Sequence, residues 1–481
     1  MLLTLVIAYL LITIAIGLVA AKRVKNTTDF AIAGRRLPLF MIVTTTFATW
    51  FGAETVMGIP AKFVNGGLNG IVEDPFGAGT CLILVGLFFA GTLYKMSLLT
   101  ISDYYRERYG RTVEVACSLI IMLSYLGWVA AQVTALGLIF NLLSDGVLSI
   151  PMGMVIGVFS ILAYTLFGGM WSVAVTDFLQ MIILVAGLSI IAVFAGNMAG
   201  GADKVISLAL SRDLFRFWPE PSFKEMVFFL AAALTMMLGS IPQQDVFQRV
   251  MSASTVESAR KGPVIGGICY ILFAFVPMFL VVSALLIMPE ETTLLLADDP
   301  QKILPTLVMT KMPFIMQVFF FGALLSAIKS TASATLLAPS VTFTENIWRQ
   351  FRPRTSDQDE LRTMRITVLV FSLLVLAYAI HMEGTSIYEM VSSAYQVPLV
   401  GAFVPLVAGL YWKRATTQGA VFAIVLGLGT WLLLLNTSWG EVFPAQLAGL
   451  LAAVVGMVAG SLLPQMVRNS HAGHHRMVGV E

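Results

Sequence analysis

Apolar runs of about 20 residues, long enough to cross a bilayer core, recur thirteen times along the chain. They fall at 1–20, 41–65, 68–94, 113–143, 150–167, 171–199, 225–241, 262–288, 313–340, 362–381, 387–411, 418–436 and 443–463. The longest connections, 200–224 and 289–312, are too short to build a soluble domain. The pattern predicts an all-α integral membrane protein of about 13 transmembrane helices. It forms one transmembrane domain over 1–465, followed by a polar tail over 466–481.

Three runs are interrupted by groups that hydrocarbon cannot solvate. The run at 41–65 is broken at Gly52-Ala53-Glu54, and the run at 225–241 ends at Gly239-Ser240-Ile241-Pro242. Proline removes a backbone donor and clashes with the preceding turn, so the second helix is expected to open there. The two breaks lie five runs apart, and an odd number of crossings reverses orientation. An inverted repeat is therefore expected, about 41–199 against 225–411, with one helix before it and two after it. The third interruption, Ser326-Ala-Ile-Lys-Ser-Thr-Ala-Ser333, sets three serines, a threonine and a lysine inside the run 313–340. A polar cluster at that depth marks a functional site by default.

Composition and charge sharpen this picture. Of 481 residues 58% are hydrophobic and 12% charged, half the charged share of an ordinary soluble protein. The first run has no basic segment before it, while Lys22, Arg23 and Lys25 follow it. That pattern suits an uncleaved anchor with its N-terminus outside. Thirteen crossings then put the C-terminus in the cytoplasm. On this assignment 21 Lys and Arg fall inside and seven outside (Lys62, Lys204, Arg212, Arg216, Lys224, Lys302 and Lys311). The bias predicts a multi-pass protein of the cell (inner) membrane, embedded in the lipid bilayer. A net charge of +2 gives no reason to expect a nucleic-acid partner. Cys81, Cys117 and Cys269 show no pairing or metal spacing and read as small core residues. His381 reads as a loop residue, and His471, His474 and His475 as part of a solvated tail.

Several motifs together resemble the sodium:solute symporter family. Gly409-Leu-Tyr-Trp-Lys-Arg414 with Gly419-Ala420 looks like its C-terminal signature, and Thr165-Leu-Phe-Gly-Gly-Met-Trp-Ser-Val-Ala174 with Thr176-Asp177 and Gln180 resembles its other characteristic stretch. Ala48-Thr-Trp-Phe-Gly52 and Ile241-Pro-Gln-Gln-Asp-Val-Phe-Gln-Arg249 resemble its choline-transporter-like branch. The resemblance implies a LeuT-type 5+5 inverted repeat and symport of a small organic solute driven by a sodium gradient through alternating access. It also implies one widely shared sodium site. Carried over by position, the backbone carbonyls of Ala48 and Phe51 would meet the carbonyl of Ala327 and the hydroxyls of Ser330 and Thr331. The physical case is compatible. Sodium is a hard cation that takes several oxygens, and an unwound helix frees carbonyls. Ala327, Ser330 and Thr331 (i, i+3, i+4) also share one helix face. No organic cofactor is expected.

Two positions depart from the family pattern. Trp50 stands where many members carry an acidic residue, and Lys329 stands where an apolar residue is usual. A midplane lysine costs roughly 2.5–3.5 kcal/mol on insertion scales unless it is paired. Reaching Asp177, it would act as a coupling group, making transport proton-driven or independent of sodium. On the helical wheel, however, it projects to the opposite side from Ser330 and Thr331. For the solute, Trp50 and Glu54 sit at the first break, Trp128 and Gln132 lie one turn apart, and Gln243 follows the second break. Glu73 and Asp74 lie in the run 68–94, near its outer end. Tryptophan faces beside carboxylates suit an organic cation. In the choline-transporting branch an aromatic cage does this work, and here two of its positions read Gln243 and Ala78. The glutamines and Glu54 suit an amino acid or polyol as well. Taken singly, each of these residues also serves helix packing or interfacial anchoring.

Enzyme chemistry is not expected. Ser326-Ala-Ile-Lys329 matches an acyl-enzyme pattern only formally, without its companion motifs. A transporter-like solute sensor is the other class considered. The chain stops shortly after its last apolar run, so a sensor role would require a separate signalling partner.

Overall fold

The computed structural model describes residues 1–352 and 356–466, which places His471, His474 and His475 outside the described residues. Regular structure among these residues is helical, with one isolated bridge joining Leu37 to Ala253. Fourteen helices carry the apolar runs, and we number them in chain order. The first seven are α1 (Leu2–Ala21), α2 (Leu39–Trp50), α3 (Glu54–Gly70), α4 (Val72–Lys95), α5 (Arg111–Leu143), α6 (Ile150–Met198) and α7 (Phe223–Gly239). The rest are α8 (Gln244–Ser252), α9 (Val256–Ile287), α10 (Phe314–Phe351), α11 (Asp357–His381), α12 (Ile387–Tyr411), α13 (Thr417–Leu435) and α14 (Ala445–Leu462).

Ten of these are long and apolar enough to cross a membrane alone, and the bent pairs α2/α3 and α7/α8 bring the number to 12. The chain is thus a multi-pass membrane protein. The thirteenth crossing expected from the sequence depends on dividing α6. Its backbone leaves helical geometry at Gly169 (φ 45°, ψ −141°), where a Cβ would lie 2.3 Å from the Phe30 carbonyl oxygen. A straight helix of its 49 residues would be about 74 Å long, more than twice the hydrocarbon thickness. Only glycine meets both the positive φ and the close approach.

Both expected breaks are present. α2 and α3 meet at 55° around Phe51–Ala53, and α7 and α8 at 45° around Ser240–Gln243. Against the sequence reading, His381 closes helix α11 instead of lying in a loop, because the apolar stripe of that helix runs to its end. Cys269 is exposed on α9, while Cys81 and Cys117 are buried. In a membrane helix small apolar residues face lipid as readily as core, so sequence gave no sign of this difference.

Candidate functional site at the two helix breaks

α2 stops being helical at Phe51 (φ −88°, ψ 72°). Phe51 N–H still donates to Phe47 O at 3.0 Å, whereas Ala53 N–H turns away to Gln132 Oε1 of α5 at 2.8 Å. Among the described residues no amide of the break donates to the carbonyl of Ala48 or Phe51. Helix ends leave such carbonyls to be satisfied from outside. A Cβ on Gly52 would lie 2.7 Å from Thr331 Oγ1, 2.7 Å from Glu54 Oε2 and 2.8 Å from Gln132 Oε1. Glycine is therefore what lets α3, α5 and α10 each deliver a side-chain oxygen to the break.

α10 presents two different faces here. Ala327, Ser330 and Thr331 are buried. Ser330 Oγ donates to Asp177 Oδ1 at 2.6 Å, and Thr45 Oγ1 of α2 donates to Asp177 Oδ2 at 2.5 Å. Asp177 of α6 thus ties α2 to α10. Thr331 Oγ1 is buried with no hydrogen-bond partner, a costly state for a hydroxyl unless another group completes it. Unsatisfied carbonyls beside an unpartnered hydroxyl are the donor set a hard monovalent cation takes, so these residues fit a sodium ion. Lys329 points elsewhere. Its Nζ donates to Thr13 Oγ1 of α1 at 2.7 Å and lies 5.3 Å from the centre of the Tyr164 ring. The pairing with Asp177 entertained from sequence is not formed, because the α-helical turn sends neighbouring residues to different sides.

The residues that the sequence analysis grouped for a solute converge more fully. Glu54, 2% exposed, accepts from Trp128 Nε1 at 3.1 Å and from Gln132 Nε2 at 2.6 Å. The Trp50 ring lies 5.7 Å from Trp128 and 6.0 Å from Tyr395, and Trp128 lies 5.3 Å from Tyr395. Tyr125 stacks on Trp128 at 6.1 Å. Gln243 Nε2 donates to Ser124 Oγ at 2.8 Å, which seats it beside this aromatic group. Asp245 joins as well, its Oδ1 accepting from Tyr125 Oη at 2.6 Å. Trp50 Nε1, Tyr395 Oη, Gln243 Oε1 and Asp245 Oδ2 are buried without partners. Arg249, 1% exposed, closes the lower end by donating to Asp245 O and Thr49 Oγ1, both at 2.8 Å.

Sequence reasoning thus brought Trp50, Glu54, Trp128, Gln132 and Gln243 into one neighbourhood but missed Tyr125, Tyr395, Asp245 and Arg249. Tyr125 had a signal, since it shares a face of α5 with Trp128 and Gln132 (i, i+3, i+7). Asp245 and Arg249 lay inside a quoted motif without being given a role. Tyr395 had no local signal.

Comparisons with known proteins agree with this architecture. A model of the sodium:solute symporter family matches residues 30–427. The human high affinity choline transporter 1 is 29% identical over 447 residues, covering 88% of this chain and 75% of that one. The sodium/sialic acid symporter NanT of Aliivibrio fischeri is 26% identical, covering 96% and 92%. The high-affinity proline transporter PutP of Bacillus subtilis is also 26% identical, covering 94% and 95%. Among solved structures, a Na+-coupled sialic acid symporter in a substrate-bound outward-open state superposes with a TM-score of 0.82 at 20% identity, covering 96% of this chain and 97% of that one. The nucleobase-cation-symport transporter MHP1 superposes with a TM-score of 0.57 at 15% identity, covering 90% and 95%. These structural likenesses establish the LeuT-type fold.

Proposed function

The chain belongs to the sodium:solute symporter family and is a secondary active transporter, not an enzyme, and from that premise we propose how it binds its ion and its solute. Sodium takes the carbonyls of Ala48, Phe51 and Ala327 with the hydroxyls of Ser330 and Thr331. The solute is a small organic cation, its charged head held against Trp50, Trp128 and Tyr395 and neutralised by Glu54.

One observation carries this reading: a fully buried carboxylate stands beside three mutually contacting rings, with no cationic side chain bonded to it. A ring face attracts a cation by up to about 2 kcal/mol once water is excluded. The buried carboxylate is stabilised by the positive charge that such a solute brings. The choline transporters among the relatives fit this chemistry. Their two departing cage positions, Gln243 and Ala78, are offset here by Tyr395 and Tyr125. Sodium binding at the open turn fixes α2 against α10 and so orders Trp50 and Glu54, which couples the two ligands through one segment. The domain is the single unit 1–465 with repeats at about 41–199 and 225–411. It sits in the cell membrane with its N-terminus outside and its C-terminus in the cytoplasm.

Reconstituted into liposomes, the protein should accumulate choline under an inward sodium gradient and not under a potassium gradient. Accumulation of proline or sialic acid with no uptake of choline would overturn the organic-cation assignment.

A further inference from the structure

Asp74 begins the membrane run of α4, on the side of the solute site where α3 ends. It is 2% exposed, and its side chain bonds to no basic group among the described residues. Its Oδ1 lies 2.5 Å from the Tyr270 hydroxyl of α9. That hydroxyl lies 3.0 Å from Thr55 Oγ1 of α3, and Thr55 Oγ1 lies 3.3 Å from the Trp50 carbonyl at the break. Three contacts therefore join four groups in a row. Each hydrogen bond needs one proton, and the two hydroxyls supply two between them. With Asp74 ionised, Tyr270 must donate to it. Thr55 then serves either Tyr270 or the Trp50 carbonyl, and one contact is left without a hydrogen. With a proton on Asp74, all three are satisfied in one direction: Asp74 to Tyr270, Tyr270 to Thr55, Thr55 to Trp50 O.

The titratable groups facing Asp74 are Glu54 on α3, Glu73 beside it on α4, Tyr270 on α9 and Tyr388 on α12, and Lys62 of α3 acts on Glu73. Lys62 rides 5.7 Å above the Tyr388 ring. Glu73 accepts from Ser392 Oγ at 2.8 Å, and its Oε1, like Asp74 Oδ2, is buried without a partner. From α7, the Ala233 carbonyl and the Met237 amide approach Gly77 in the first turns of α4, and neither residue brings a titratable side chain.

We propose that Asp74 is a proton-binding site, and that a proton taken from the water on that face completes a relay through Tyr270 and Thr55 to the Trp50 carbonyl. The step is one protonation, carboxylate oxygen plus proton giving a carboxyl O–H, with no bond broken in the protein. Its consequence is mechanical. The Trp50 carbonyl holds the Thr55 donor without leaving the Tyr270 contact unfilled only when Asp74 is loaded, so acidity on that face is read at the segment that carries Trp50 and Glu54. The idea does not depend on which solute is carried.

The test is infrared difference spectroscopy of the full-length protein in lipid bilayers between about pH 5 and about pH 9, above the ordinary carboxylate range of about 4. Wild type should show a protonated-carboxyl C=O band at the acidic end that is lost in Asp74→Asn. In Tyr270→Phe the band should persist at a shifted frequency, since the carboxyl O–H loses its acceptor. An Asp74→Asn spectrum that keeps every carboxyl band of wild type would overturn the proposal. If that variant does not fold, an unshifted carboxyl region in Tyr270→Phe does the same.

Discussion

The two sides of α10 carry adjacent residues with opposite fates. Ser330 and Thr331 face the break between α2 and α3, one tied to Asp177 and the other left with an unpartnered hydroxyl. Lys329 faces α1, where Thr13 is its acceptor and the Tyr164 ring lies beneath it. One side leaves oxygen valences open for a ligand, and the other closes them within the protein. Polarity deep in a membrane therefore does not by itself mark a ligand site. What distinguishes the two sides is whether the protein has already satisfied the group.

The largest effect should come from the open side. Ser330→Ala with Thr331→Ala removes both hydroxyls, and losses of about 1–3 kcal/mol each should raise the sodium concentration for half-maximal uptake about thirtyfold or more. Uptake measured against sodium concentration decides it, and unchanged sodium dependence would remove these residues from the ion site. Next, Glu54→Gln takes away charge at nearly constant shape. Charge-assisted contacts are worth about 1.5–3 kcal/mol, so affinity for a cationic solute should fall ten- to a hundredfold, as read by equilibrium binding. A neutral solute would be little affected.

The closed side should show itself in stability instead. Thr13→Val strands the Lys329 amine at a cost of about 1–3 kcal/mol, lowering the melting temperature by a few degrees. Adding Lys329→Met should restore it, and melting curves of the single and double variants measure that coupling. The smallest effect expected is that of Lys329→Met on transport. Half-maximal sodium should move by less than about twofold, since the amine touches α1 and not the open turn; a larger change would merge the two sides into one ion site.

Much of this was legible beforehand for identifiable reasons. The breaks at Gly52–Glu54 and Gly239–Pro242 were visible because glycine and proline act locally on the backbone, whatever surrounds them. The direction of Lys329 was legible in part, since helical geometry alone sends it away from Ser330 and Thr331. Its partner was not, because Thr13 lies 316 residues away on a helix that sequence patterning treats as an anchor. The division of α6 was visible as two apolar runs, yet only the positive φ at Gly169 shows where the backbone turns.

By itself the sequence determined that the chain enters the membrane many times, where two helices open, and that Ala327, Ser330 and Thr331 share one face of α10. These follow from hydropathy, backbone stereochemistry and a fixed helical repeat, all short-range properties. Tertiary structure decided that Tyr395 completes the ring cluster, that Asp177 joins α2 to α10, and that Asp74 is wired to Trp50 through Tyr270. Each of these joins residues far apart in the chain, and such contacts depend on how helices cross and which small residues let them approach. Periodicity along one helix places a side chain on a face; only the packing of several helices determines what that face meets.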